Sequence, residues 1–188
     1  MPFMLALAAA LALTAQPLDL EAWNRDRLLT SRVGMFVLGA FAVGNLGIGA
    51  FGFALERDER ARFLHLGNLA WNAVNLGLAL NTLIREWSQD PAALDAKQSL
   101  GASEQIEKIF FINGALDLGY LATAAFLWQR GDAVGDPKLV GLGQALVIQA
   151  AFLVFFDVTM GILNARLTGR LLEGVTVNVT PVAISGTF

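Results

Sequence analysis

Apolar positions fall into four long runs separated by short polar stretches: Val33–Leu55, Phe63–Ile84, Ile109–Trp128 and Leu139–Ile162. Each run holds about 20 residues or more, enough to cross roughly 30 Å of hydrocarbon as a helix rising about 1.5 Å per residue. None contains Lys or Arg. The pattern predicts an all-α membrane protein, a four-transmembrane-helix antiparallel bundle over residues 33–166.

The flanks follow other patterns. Met1–Ala15 (MPFMLALAAALALTA) is too short to span and ends in small residues, with Ala10-Leu11-Ala12 and Ala15 as cleavage points. It reads as a signal peptide, with a retained apolar N-terminus as the alternative because no Lys or Arg precedes the apolar core. In residues 16–32, Leu18, Leu20, Trp23 and Leu28 share one side of a helix among charged residues, the pattern of a short interfacial N-terminal helix. Beyond Arg166, Val175, Val177 and Val179 alternate with polar residues before Pro181, which predicts an extended C-terminal tail over residues 167–188.

Loops set the orientation. Glu56–Arg62 is short and charged, Arg85–Lys108 is longer and polar with helix expected after Ser103, and Gln129–Lys138 carries Gly131, Gly135 and Pro137. Arg57, Arg60, Arg62, Arg130 and Lys138 concentrate in the two short connections, which places these inside and both termini outside a bacterial inner membrane.

Met35–Phe53 aligned with Phe110–Trp128, an offset of 75 residues, pairs Gly39 with Gly114, Ala40 with Ala115 and Gly44 with Gly119. This reads as a duplicated two-helix hairpin, with chance similarity of two Gly/Ala/Phe-rich spans as the alternative. Ala40-x3-Gly44 and Ala115-x3-Gly119 are steps through which spans one and three are expected to pack, in one protomer or between protomers, and Gly141-x3-Ala145 continues the theme.

Composition narrows the chemistry. Of 188 residues, 55% are hydrophobic and 15% charged, and the net charge of −3 offers no basic surface for nucleic acid. Cys is absent and His65 stands alone, which excludes thiol chemistry and leaves no metal or haem ligand set, so no cofactor is expected.

The second run is the least ordinary: His65, Asn68, Asn72 and Asn75 recur at spacings of 3, 4 and 3, along one helix face. Amides pointing at lipid would lack partners, so this face must meet protein or water. The string Arg62-Phe63-x-His65-x-x-Asn68-x-x-Trp71-Asn72-x-Val74-Asn75-Leu76 resembles the signature of an uncharacterised family of small bacterial four-span integral membrane proteins. Met35–Gly49, with Gly39 and Asn45, resembles that family's first span. The resemblance, mainly in spans one and two, implies the fold and carries no activity.

Two acids lie in the apolar runs: Asp117, with Asn113 one turn away, and Asp157, with Asn164 seven residues on. Counted from the outer ends of the spans, Asp157 sits roughly 8 Å deep, Asp117 roughly 12 Å, Asn75 roughly 14 Å and Asn45 roughly 18 Å. These groups predict a polar core or outward cavity built from Asn45, Asn68, Asn72, Asn75, Asn113, Asp117 and Asp157. Interhelical hydrogen bonding is the plain reading, and proton or ligand handling the sharper one. His65 is expected to be interfacial, with pH sensing as the alternative. The expected function is a non-enzymatic accessory or structural subunit, or a self-associating scaffold, partnered by lipid and by its own copies or a membrane complex. A small transporter or channel is the alternative, and an intramembrane enzyme using the two acids the remoter one.

Overall fold

The computed structural model describes residues 18–179, with side chains to Gly174. Those residues form four helices and no strand: α1 Leu20–Leu55, α2 Glu59–Trp87, α3 Ala96–Val134 and α4 Pro137–Val179. α1, α3 and α4 are long and apolar enough to cross a membrane. α2, with 29 residues, is long enough, but His65 and its asparagines lower its hydropathy below that of the other three.

Capping fixes the starts. Asp19, Asp58 and Asp95 accept from Ala22 N, Ala61 N and Gln98 N, and Asp95 and Gln98 complete a capping box. α3 therefore begins well before Ser103, and only residues 88–95 connect it to α2. At the other end Gly135, with φ 68°, takes the left-handed conformation that ends α3 and lets Pro137 open α4.

Two expected boundaries are corrected. The interfacial helix is not separate: α1 runs through residues 32 and 33 without a break, and Trp23, Asn24, Arg27, Leu28 and Ser31 are buried rather than laid on a membrane surface. The tail is not extended over residues 167–179, because α4 continues to Val179. Extending an existing helix costs no new nucleus, and Leu167 and Leu171 gain burial against Trp23, whose indole Nε1 donates to Leu167 O at 2.9 Å. Residues 1–17 (the signal-peptide segment Met1–Ala15 among them) and 180–188 lie outside the described residues.

Contacts between α1 and α2 run in reverse order, Phe36 to Trp87, Gly39 to Ala79 and Gly49 to Leu69. Those between α3 and α4 do likewise, Gly131 to Val140, Gly114 to Val158 and Ser103 to Thr168. α4 packs against all three other helices, whereas α1 and α3 meet only marginally. A core of Met35, Leu38, Ala79, Leu83, Phe110, Leu153, Phe156 and Met160 fills the middle. At 36, 39 and 43 residues, α1, α3 and α4 exceed the roughly 20 a membrane requires, and the excess gathers at the end shared by Trp23, Ser99 and Leu167.

The expected contact of spans one and three through small residues is not made within the chain. Ala40, Gly44, Ala115 and Gly119 are all exposed, and a Cβ at Gly44 or Gly119 would meet nothing within 4 Å. α4 stands where α3 would have to approach α1. Close approach occurs instead on α4: a Cβ at Gly141 would strike Arg60 O and come within 2.9 Å of Leu64 N, and one at Gly143 would come within 2.7 Å of Trp128 N. Backbone atoms cannot swing aside. Gly141→Ala and Gly143→Ala should therefore each cost about 1–3 kcal/mol, read as a lowered melting temperature in detergent, while Gly44→Ala should leave the isolated protomer unchanged.

Candidate functional site

The helical period of α2 turns Asn68, Asn72 and Asn75 to one side, and all three are buried. Asn72 Nδ2 donates to Asn68 O at 2.8 Å, and Gln149 Nε2 of α4 donates to Asn68 Oδ1 at 2.9 Å. Gln149, fully buried, belongs to this seam although the sequence offered only an isolated amide in an apolar run.

Asp117 of α3 and Asp157 of α4 lie beside each other where the two helices pack, 4% and 5% exposed. Gly114, one turn before Asp117, leaves the space: a Cβ there would lie 3.8 Å from that of Asp157. Toward the overhanging end, Asn164 Nδ2 donates to Met160 O at 2.8 Å, Thr168 Oγ1 to Asn164 O at 3.1 Å, and Ser103 and Thr168 share a bond of 2.9 Å. Several buried atoms have no partner among the described residues: Asn72 Oδ1, Asn75 Nδ2, Gln149 Oε1, Asp117 Oδ2 and Asn164 Oδ1.

Two expected members are not brought into the seam. Asn113 is exposed, because α4 passes α3 on the side of Gly114 and Asp117. Asn45 is half-buried and donates to Phe41 O at 2.9 Å, satisfying itself within α1. His65 is half-buried near the opposite end, its ring lying against the space over Gly52 and its Nδ1 buried without a partner.

A second polar cluster fills the overhang. Asn24 Nδ2 donates to Ser99 Oγ at 3.0 Å, Arg27 reaches Gln89 Oε1 at 3.4 Å, Ser31 Oγ donates to Glu86 Oε1, and Arg32 donates to Glu86 O. Arg27 and Glu86 are 2% and 5% exposed and attract each other. The signal was the spacing of Asn24, Arg27 and Ser31 at 3 and 4, a single helix face, read as charged residues on a membrane surface.

Burial pushes the Glu86 carboxyl above its ordinary 4.5, against the bond from Ser31 and the charges of Arg27, Arg32 and Arg85. Between the ordinary carboxyl range and that raised value, the folded protein keeps a proton that the unfolded chain has released. Stability from this source is greatest below the ordinary carboxyl range and falls as pH rises through the elevated value. Glu86→Gln should flatten that dependence in thermal melts across pH. Glu86→Ala, which strands a buried guanidinium, should cost about 3–5 kcal/mol.

A family model described as a family of unknown function (DUF6992) matches residues 37–158. The match spans the second half of α1, all of α2 and α3, and α4 to Val158, so it contains the seam from His65 to Asp157 and leaves the Asn24–Ser31 face outside. No curated protein and no solved structure matches the chain. The match covers well over half of the sequence, and the protein therefore belongs to the DUF6992 family.

Proposed function

We propose that the protein is a four-span integral membrane protein of the bacterial inner membrane without catalytic activity, acting as an accessory or structural subunit or as a self-associating scaffold. The observation that carries the four-span reading is the division of α2. Its amides Asn68, Asn72 and Asn75 turn inward, while Val74, Leu78, Leu80 and Ile84 are 50–70% exposed. A helix too polar on average thus offers lipid an apolar surface. Glu59 and Lys138, 3.4 Å apart, join the two short basic connections at one end, which supports the orientation with both termini outside.

The scaffold reading is supported by how the interior is used. Polar groups bond across helices, Asn68 to Gln149 and Ser103 to Thr168, and neither the groove between α1 and α4 nor the hollow beside Trp71 and Gln149 is lined by an acid. The outward small-residue faces of α1 and α3 suit close association with another helix. The unpartnered atoms Asn72 Oδ1, Asn75 Nδ2 and Gln149 Oε1 favour a second reading, a bundle that admits a proton or small solute.

Asp117→Asn and Asp157→Asn separate the two. In a scaffold both variants fold and retain whatever partners or copies co-purify in mild detergent, because an amide can bond a carboxyl. A transporter would fold equally well and lose pH-dependent uptake in proteoliposomes. Retained assembly with no uptake by the unsubstituted protein supports the scaffold.

A further inference from the structure

An open groove of about 450 Å³ lies between α1 and α4, on the side away from the polar seam. Its walls include Val33 and Val37 of α1 and Phe155 and Leu163 of α4, 39–74% exposed. Its floor forms where Gly34 has no side chain and Met160 crosses over it. A groove of this size falls in the range that holds a small ligand, and its lining admits hydrocarbon rather than water.

Charge marks one end. Following the groove face of α4 beyond Leu163 by steps of three and four residues leads to Arg166 and Arg170, and following that of α1 back from Thr30 leads to Asp26. Arg170 and Asp26 pair at 3.2 Å, both more than half exposed, and largely cancel. Arg166 is exposed and has no hydrogen bond or ion pair among the described residues, so one positive charge remains at the mouth. The groove begins where the apolar segments give way to the overhang, the level at which a lipid headgroup meets its chains.

We propose that this groove binds one anionic phospholipid, an acyl chain lying between Val33 and Phe155 and the phosphate meeting Arg166. The proposal rests on the membrane reading above but on neither the scaffold nor the transport function, since the groove shares no residue with the seam.

The test is native mass spectrometry of the full chain in detergent, titrated with phosphatidylglycerol and, separately, phosphatidylcholine of the same acyl chains. One phosphatidylglycerol should bind preferentially, by about fivefold for one arginine contact. Arg166→Gln, at an exposed site that cannot disturb the core, should bring phosphatidylglycerol down to the level of phosphatidylcholine. Val33→Trp, which fills the groove from an exposed wall, should weaken both lipids. Equal binding of the two lipids by the unsubstituted protein, or undiminished binding by Val33→Trp with helix content and monodispersity intact, overturns the proposal. A second copy of the chain in place of lipid at this face would also overturn it, appearing as a dimer that Val33→Trp dissociates. Failure of the membrane reading itself would show separately, as a protein soluble without detergent.

Discussion

On the four-span reading, the amides of α2 have to be kept away from lipid, and the packing of α4 against α2 answers that need. A carboxamide facing hydrocarbon leaves two donors and an acceptor without water, a cost of several kcal/mol for each lost bond. With Asn68, Asn72 and Asn75 on one face, α2 has a single acceptable rotation about its axis. That rotation demands a partner on the inner side, and α4 supplies it through Gln149. α4 can come close enough because Gly141 meets the backbone of α2 and Ala145 fits over Gly67. The same helix meets α3 through Gly143 and Asp157, which makes it the axis of the molecule and keeps α1 and α3 apart.

The overhanging end obeys a different constraint. There the helices extend beyond what a membrane needs, so a buried Arg27 beside Glu86 does not have to be placed in hydrocarbon. Desolvating both charges still costs several kcal/mol per ion, and their attraction alone does not guarantee a net gain. The Ser31 bond to Glu86 and the Arg27 bond to Gln89 reduce the deficit, while the Trp23, Leu167 and Leu171 cluster provides the apolar burial. The arrangement fixes which helix ends meet: the starts of α1 and α3 with the finishes of α2 and α4.

Much of this was legible from residue spacing and part of it was not. The helical period placed Asn68, Asn72 and Asn75 on a buried face, because a 3, 4 rhythm of amides in an apolar run has one physical solution. Similar estimated depths put Asp117 and Asp157 at neighbouring levels, though only the packing of α3 on α4 brings them together. Helix limits were less visible, since α4 continues past Arg166 owing to the contact of Leu167 and Leu171 with Trp23, almost 150 residues away in the chain. For a related reason spacing shows that Gly44 and Gly119 could admit a neighbour, and cannot show that the neighbour is not α3 of the same chain, because both glycines face outward. Arg27 and Glu86 were hidden because charged residues at a helix end are usually solvated, and their burial depends on three other helix ends arriving there.

The two outward small-residue faces carry the synthesis one step further. Gly39 and Gly114, paired at the 75-residue offset, each turn toward the following helix, Ala79 in one case and Val158 in the other. Ala40, Gly44, Ala115 and Gly119 then fall outward at equivalent places. Helix association in lipid gains little from apolar burial and depends on close packing, so Gly44 and Gly119 cost helix propensity without return unless a helix lies against them. Among the described residues no helix does. The internal contacts are spent on the seam and on the glycines of α4, and the surface left over on α1 and α3 has the shape that association between membrane helices requires.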